Sequence, residues 1–277
     1  MNTKDIINIS KLHNLHPNKR LGQHFICNKD IIDRIITVSD IDNCDNVLEI
    51  GAGLGALTEE LIIRVDSITI IEVDSGIVRF LRERFKERVG LTIIHADFLK
   101  LSLDEPFSKT ISNLPYYCAS EILLKIAQEY RIRDVYIMLQ REMAERLVSQ
   151  PGSKDYGAFT VAIGLYYKAK LLFHIDKSSF FPKPDVASSF VHLALKDDCD
   201  LTQDEIDIFH KVVRAAFWGR RKTIVNALAE SPHLKISIHL IKDVLEELNI
   251  DHRIRGENLN IHDYIQLTQK LCQYIVA

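Results

Sequence analysis

Gly51, Gly53 and Gly55 fall within "LEIGAGLGALT" (residues 48–58), where an apolar run gives way to a helical pattern. Glycines let a backbone turn sharply and approach a ligand closely. The stretch also reads Gly-x-Gly-x-x-Ala through Gly51, Gly53 and Ala56, which leaves a dinucleotide site open. Glu72 follows Gly51 by 21 positions, near the spacing of about 20 expected of an acid that accepts hydrogen bonds from ribose hydroxyls. Asp74 lies two residues further on, and spacing does not choose between them. Asp97, in "HADF", ends a third apolar run. Acids at strand ends also serve as helix caps, and a glycine-rich turn needs no ligand. Taken together, the turn, Glu72 and Asp97 outline a nucleoside pocket. A fourth apolar run ends in "NLPYY" (113–117). Proline cannot donate to a β ladder, so the strand stops near Asn113. A carboxamide and two aromatic rings are thereby delivered beside that pocket.

The elements that must position these residues alternate from residue 46 to about 140. "NVLEIG", "SITIIEVD", "LTIIHADF", "KTISNLPYY" and "DVYIMLQ" read as strands; "ALTEELIIRV", "SGIVRFLRERF" and "SEILLKIAQEY" read as helices. Short apolar strands alternating with amphipathic helices imply βαβ units and a parallel sheet. Parallel crossovers are almost always right-handed, so the ligand-bearing loops share one sheet edge. "YYKAKLLFHID" and "SSFVHLAL", joined by "KSSFFPKPDVA", read as an antiparallel hairpin at the sheet edge. A polar break, "KDDCD", precedes an all-helical tail. The domains expected are 1–197 and 198–277.

The totals set limits. The 277 residues include 35 Lys and Arg against 38 Asp and Glu, a formal net charge of -3, which argues against strong non-specific nucleic-acid binding. Basic residues do cluster locally. "RFLRERFKER" (79–88) carries its own glutamates at helical spacing and reads as a solvated helix face. Lys19-Arg20 and Arg220-Arg221-Lys222 are the better candidates for phosphate contacts. The five cysteines are scattered without a CxxC pair, which predicts reduced thiols and neither a zinc site nor a disulfide frame. The N-terminus lacks a cationic start followed by an apolar core, and no apolar run reaches the roughly 18 residues of a membrane span. A cytoplasmic protein is expected.

The order "LGQHF", "LEIGAGLGALT", "IEVD", "AD", "NLPYY", "FFPKPDVASS" and "RRKT" resembles the ribosomal RNA adenine dimethyltransferases of the KsgA type, from about residue 19 to the C-terminus. The resemblance implies a Rossmann-like class I methyltransferase sheet with a small all-α C-terminal domain. It implies S-adenosylmethionine as methyl donor, with no metal. It also implies that the substrate is two adjacent adenosines near the 3′ end of 16S rRNA in the small (30S) subunit, each methylated twice at N6, and that the enzyme is a monomer. By the same resemblance His24, Ile26, Gly53 and Asn113 line the donor pocket, Gly51 approaches the methionine portion, Glu72 holds the ribose and Asp97 meets the adenine amino group. Asn113, Pro115, Tyr116 and Phe180 act on the target base, and Arg220, Arg221 and Lys222 meet RNA. Tyr117 stands where many relatives have a polar residue and receives no role.

Chemistry supports that assignment. The adenine N6 lone pair is delocalised into the ring, so the amine is a poor nucleophile. Two acceptors, the Asn113 side-chain oxygen and a main-chain carbonyl near Pro115, would favour a pyramidal nitrogen and stabilise its developing charge. Tyr116 offers a stacking face for an extruded base, and Phe180 a second wall. Three rivals share parts of this pattern. A nicotinamide-dependent oxidoreductase leaves Asn113–Tyr116 unexplained. The related 23S RNA adenine methylase is disfavoured by "RRKT". A non-catalytic RNA-binding assembly factor is disfavoured by the intact glycine loop, Glu72, Asp97 and Asn113.

Overall fold

A computed structural model describes residues 1–18, 21–197, 201–219 and 221–275. In chain order the first elements are α1 (Thr3–Leu12), β1 (Phe25–Ile26), α2 (Lys29–Val38), β2 (Asn46–Ile50), α3 (Thr58–Leu61) and β3 (Ser67–Glu72). There follow α4 (Ser75–Arg84), β4 (Leu91–His95), β5 (Lys109–Asn113), α5 (Ala119–Lys125), β6 (Asp134–Gln140) and α6 (Arg141–Leu147). The remainder comprises α7 (Ala158–Tyr166), β7 (Tyr167–Ile175), β8 (Phe180–Phe181), β9 (Ser188–Leu195), α8 (Gln203–Ala216), α9 (Ile224–Glu230), α10 (Ile238–Glu247) and α11 (Ile261–Ile275).

Among the described residues, seven strands form one sheet in the order β4-β3-β2-β5-β6-β9-β7, and β1 pairs with β8 in a separate two-stranded sheet. β2 pairs in parallel with β3 and β5, β3 with β4, and β5 with β6. β9 runs antiparallel to β6. The strand order reverses at β2, so a crevice opens beyond its carboxyl end, where open α/β sheets bind ligands. β2 and β3 are buried along nearly their whole length, as strands covered on both faces must be.

The expected helix over "ALTEELIIRV" is reduced to the four residues of α3. Gly51, Gly53 and Gly55 adopt φ of +74°, +55° and +78°, left-handed backbone that keeps a helix from starting before Ala56, and the chain on either side of α3 continues as turns. α7 escapes the sequence pattern for another reason. Seven of its nine residues, Thr160 to Tyr166, are buried, so no polar face marks a helical period.

The chain divides into two compact units, Met1–Ala144 with Lys168–Leu195, and Glu145–Tyr167 with Lys196–Ala277. The helical unit thus takes in residues 145–167, which lie ahead of the expected 197/198 boundary. The polar break 198–200 is outside the described residues. Within the helical unit α8 starts at a capping box, Thr202 with Glu205. There Ile206, Phe209, Val212, Val213 and Ala216 are buried at helical spacing. A Cβ on Gly164 of α7 would meet Ile261 Cδ1 at 2.3 Å, so glycine lets α7 and α11 pack closely. In the sheet unit, residues from α1, α2, α3, α4 and the strands share one apolar core, including Ile6, Ile32, Leu61, Ile70, Leu81 and Phe190.

Candidate active site

β2 ends at the glycine turn, and the turn is held from both sides. The Gly51 amide donates to the Ile71 carbonyl at 2.8 Å. The Ile50 amide donates to the buried Ser112 hydroxyl of β5 at 2.8 Å. A Cβ on Gly53 would stand 2.9 Å from Phe25 Cδ1, so the turn also closes against the β1 segment. Around it lies a cavity of about 970 Å³ including its open mouth.

Glu72 and Asp74 take different jobs. Glu72 is buried and lines the cavity. Its Oε2 accepts from the Gly53 amide at 3.2 Å and its Oε1 from the Asp74 amide at 3.0 Å. Burial raises its pKa against the pull of these amides. Asp74 instead caps α4, accepting from the Gly76 and Ile77 amides, and takes a hydrogen bond from Gln23 Nε2 at 3.1 Å. Two candidates equal by spacing are separated by direction. Asp97 lines the cavity and caps the short turn Phe98–Lys100 through the Leu99 amide at 3.0 Å.

A third acid in the cavity was not singled out from sequence. Glu49 is 1% exposed, one residue before the carboxyl end of β2. Burial pushes its carboxyl up to about 8, aided by the charge of Glu72, although the Thr58 hydroxyl donates to its Oε2 at 2.7 Å. The available signal was a charged residue inside the otherwise apolar strand "NVLEI". Glu49 is held neutral by burial, so the lining's negative charge comes from Glu72 and Asp97, and among its described residues there is no Lys or Arg. Such a site disfavours a pyrophosphate and suits a ligand that carries positive charge.

Asn113, Pro115 and Tyr116 line the same cavity. Asn113 Nδ2 donates to the His24 carbonyl at 3.0 Å. Its Oδ1 is buried and has no hydrogen-bond partner. An unpaired buried acceptor typically costs ~1–3 kcal/mol, so it marks a place where a donor is expected. The Pro115 carbonyl accepts from the Cys118 amide at 3.3 Å. Tyr116 is fixed at both ends. Its hydroxyl lies 2.6 Å from Ser188 Oγ, and its ring stacks on His24 with centroids 5.9 Å apart at 27°. His24 Nδ1 in turn meets the Pro182 carbonyl at 2.7 Å. β1 and β8 pair Phe25 with Phe181 and Ile26 with Phe180, which ties the "QHF" segment to "FFPKP" across more than 150 residues.

A family model described as "Ribosomal RNA adenine dimethylase" matches residues 14–267. The chain belongs to that family. A "Ribosomal RNA small subunit methyltransferase A" of Alkaliphilus oremlandii is 35% identical over 92% of each chain. The protein of the same name from Fusobacterium nucleatum is 38% identical, covering 90% of this chain and 95% of its own. Among solved structures, a dimethyladenosine transferase from Plasmodium falciparum superposes with a TM-score of 0.79 at 27% identity, over 90% of this chain and 98% of that one. A 23S rRNA methyltransferase shares the fold, with a TM-score of 0.68 at 23% identity over 89% of this chain and 99% of that one.

Measured against the dimethylase expectations, His24, Ile26, Gly51, Gly53, Glu72, Asp97, Asn113, Pro115 and Tyr116 are gathered around one cavity. Phe180 is not. It is 3% exposed, belongs to the apolar core and is absent from the cavity lining. On β8 alternate side chains point to opposite faces, and Phe180 occupies the inward position, so the expected second wall is not presented here. Lys222 forms an ion pair with Glu230, while Arg221 is exposed. Lys19, Arg20 and Arg220 lie outside the described residues. Among the described residues there is no cluster of three or more potential metal ligands and no helix long and apolar enough to cross a membrane.

Proposed function

We propose that the chain transfers methyl groups from S-adenosylmethionine to N6 of two adjacent adenosines near the 3′ end of 16S rRNA, within the small ribosomal subunit or its assembly intermediate. The observation that carries this reading is the buried, unpaired Oδ1 of Asn113 at the end of an acid-lined cavity. Family membership supplies the reaction class, and the acidic lining fits a cationic sulfonium donor better than an anionic dinucleotide.

When bound, S-adenosylmethionine supplies a methyl group already activated by its positive sulfur, and no metal is required. Glu72 accepts from the ribose hydroxyls and Asp97 from the adenine amino group. The turn at Gly51 and Gly53 lets backbone approach the methionine portion. On the acceptor side Asn113 Oδ1 takes one N6 hydrogen. A main-chain carbonyl near Pro115 takes the other; that of Leu114 is the candidate, since that of Pro115 is engaged by Cys118. Held by two acceptors, the nitrogen is pyramidal and its developing positive charge is stabilised. Tyr116, fixed by Ser188 and His24, presents a face to the extruded base.

The test is incubation of labelled S-adenosylmethionine with undermethylated 30S particles, protein-free 16S rRNA and a short hairpin, followed by mapping of the modified nucleotide. The chain's negative net charge leads us to expect preference for the particle, where RNA shape is presented ready-made. Asn113→Ala should lower the single-turnover rate by ~10²–10³ while leaving affinity for S-adenosylhomocysteine unchanged. Modification outside adenine N6, or a near-normal rate in the variant, would overturn the reading.

A further inference from the structure

Tyr117 has no part in the reaction described above, yet it is among the residues lining the cavity. It is 59% exposed, unlike Tyr116. Two neighbours fix its surroundings. Gly22, at φ +58°, lies so close that a Cβ there would be 3.7 Å from Tyr117 Cδ1. The "LGQHF" segment therefore passes beside the ring in a backbone conformation that other residues avoid. Glu72 and Asp97 line the same cavity. The Tyr117 phenol is pushed up to about 12, chiefly by burial and then by Cys118, with the charges of Asp97 and Glu72 adding to it. Those two acids mark the ribose and adenine end of the cavity. Tyr116, anchored by Ser188 and His24, marks the end where Asn113 waits.

We propose that Tyr117 is a further donor-binding residue, whose ring covers the adenosine half of the donor between the "LGQHF" segment and Asp97. The inference rests on the donor reading given above. Adjacent tyrosines would then serve two different purines, Tyr116 the acceptor adenine and Tyr117 that of the donor. The chemistry is that of any aromatic face over a nucleobase: apolar area leaves water and the rings stack. An exposed ring at the mouth of a cavity gains from such cover, whereas a ring already packed gains little.

Calorimetry with S-adenosylhomocysteine, 5′-methylthioadenosine and methionine tests this directly, with RNA affinity measured in parallel by filter binding. Tyr117→Ala should weaken S-adenosylhomocysteine and methylthioadenosine by the same factor, ~5-fold or more, the low end for loss of one base–aromatic stack. Tyr117→Phe should stay within about twofold of the parent, and neither variant should change RNA affinity. Circular dichroism of the free proteins checks that the fold is kept. Unchanged methylthioadenosine affinity in Tyr117→Ala, or a loss confined to RNA, would overturn the proposal while leaving the donor site intact. Failure of the parent protein to bind S-adenosylhomocysteine would instead sink the donor reading itself, and this inference with it.

Discussion

Glu49→Gln removes a buried titrating group near the carboxyl end of β2 without changing its shape. The carboxyl moves from 4.5 to about 8 in the folded chain, because burial disfavours its charged form. Between those values the unfolded chain has lost this proton and the folded chain keeps it. The stabilising contribution is therefore complete below pH 4.5, declines as pH rises, and is gone once pH passes through the folded value near 8. A gap of roughly 3.5 pH units at ~1.4 kcal/mol each amounts to on the order of 5 kcal/mol across that window. Glutamine keeps an acceptor for the Thr58 hydroxyl and does not titrate. Glu72, also raised, bends both curves alike, whereas Glu60 and Asp45, both lowered, act at the acid end. Urea unfolding at pH 5, 6.5 and 8 provides the assay. It should be followed by far-UV circular dichroism, because the single tryptophan, Trp218, reports on the helical unit instead. The stability of Glu49→Gln relative to the parent should climb steadily with pH. Parallel curves would show that Glu49 is already ionised in the folded chain and would refute the reasoning.

Glu72→Ala should reduce S-adenosylmethionine affinity in calorimetry by about tenfold or more, as expected for loss of charge-assisted hydrogen bonds worth ~1.5–3 kcal/mol, and leave RNA affinity unchanged. An unaltered donor affinity would remove Glu72 from the ribose. Arg221→Ala should leave donor binding alone and make the salt dependence of RNA affinity shallower by roughly 0.7–0.9 log units, the contribution of one phosphate contact. Trp218, three residues away and 55% exposed, offers a fluorescence signal for that titration. An unchanged slope would return Arg221 to a solvated face.

The parallel sheet and its ligand edge are legible in the residue pattern, because apolar runs alternating with amphipathic segments have few ways to bury their faces. The pattern also placed the glycine turn, Glu72, Asp97 and Asn113 on that edge, since strand ends of a parallel sheet are set locally. Tertiary structure decided what spacing leaves degenerate. Glu72 turns into the cavity and Asp74 onto the start of α4, a difference of direction that residue counting does not contain. Phe180 lies in the core because β8 pairs with β1, a partnership between segments more than 150 residues apart. Residues 145–167 cluster with the helical unit because the largely buried α7 packs there. Glu49 needed burial to become informative, and burial belongs to the folded chain: an acid in a strand acquires a raised pKa only when neighbours on both faces exclude water.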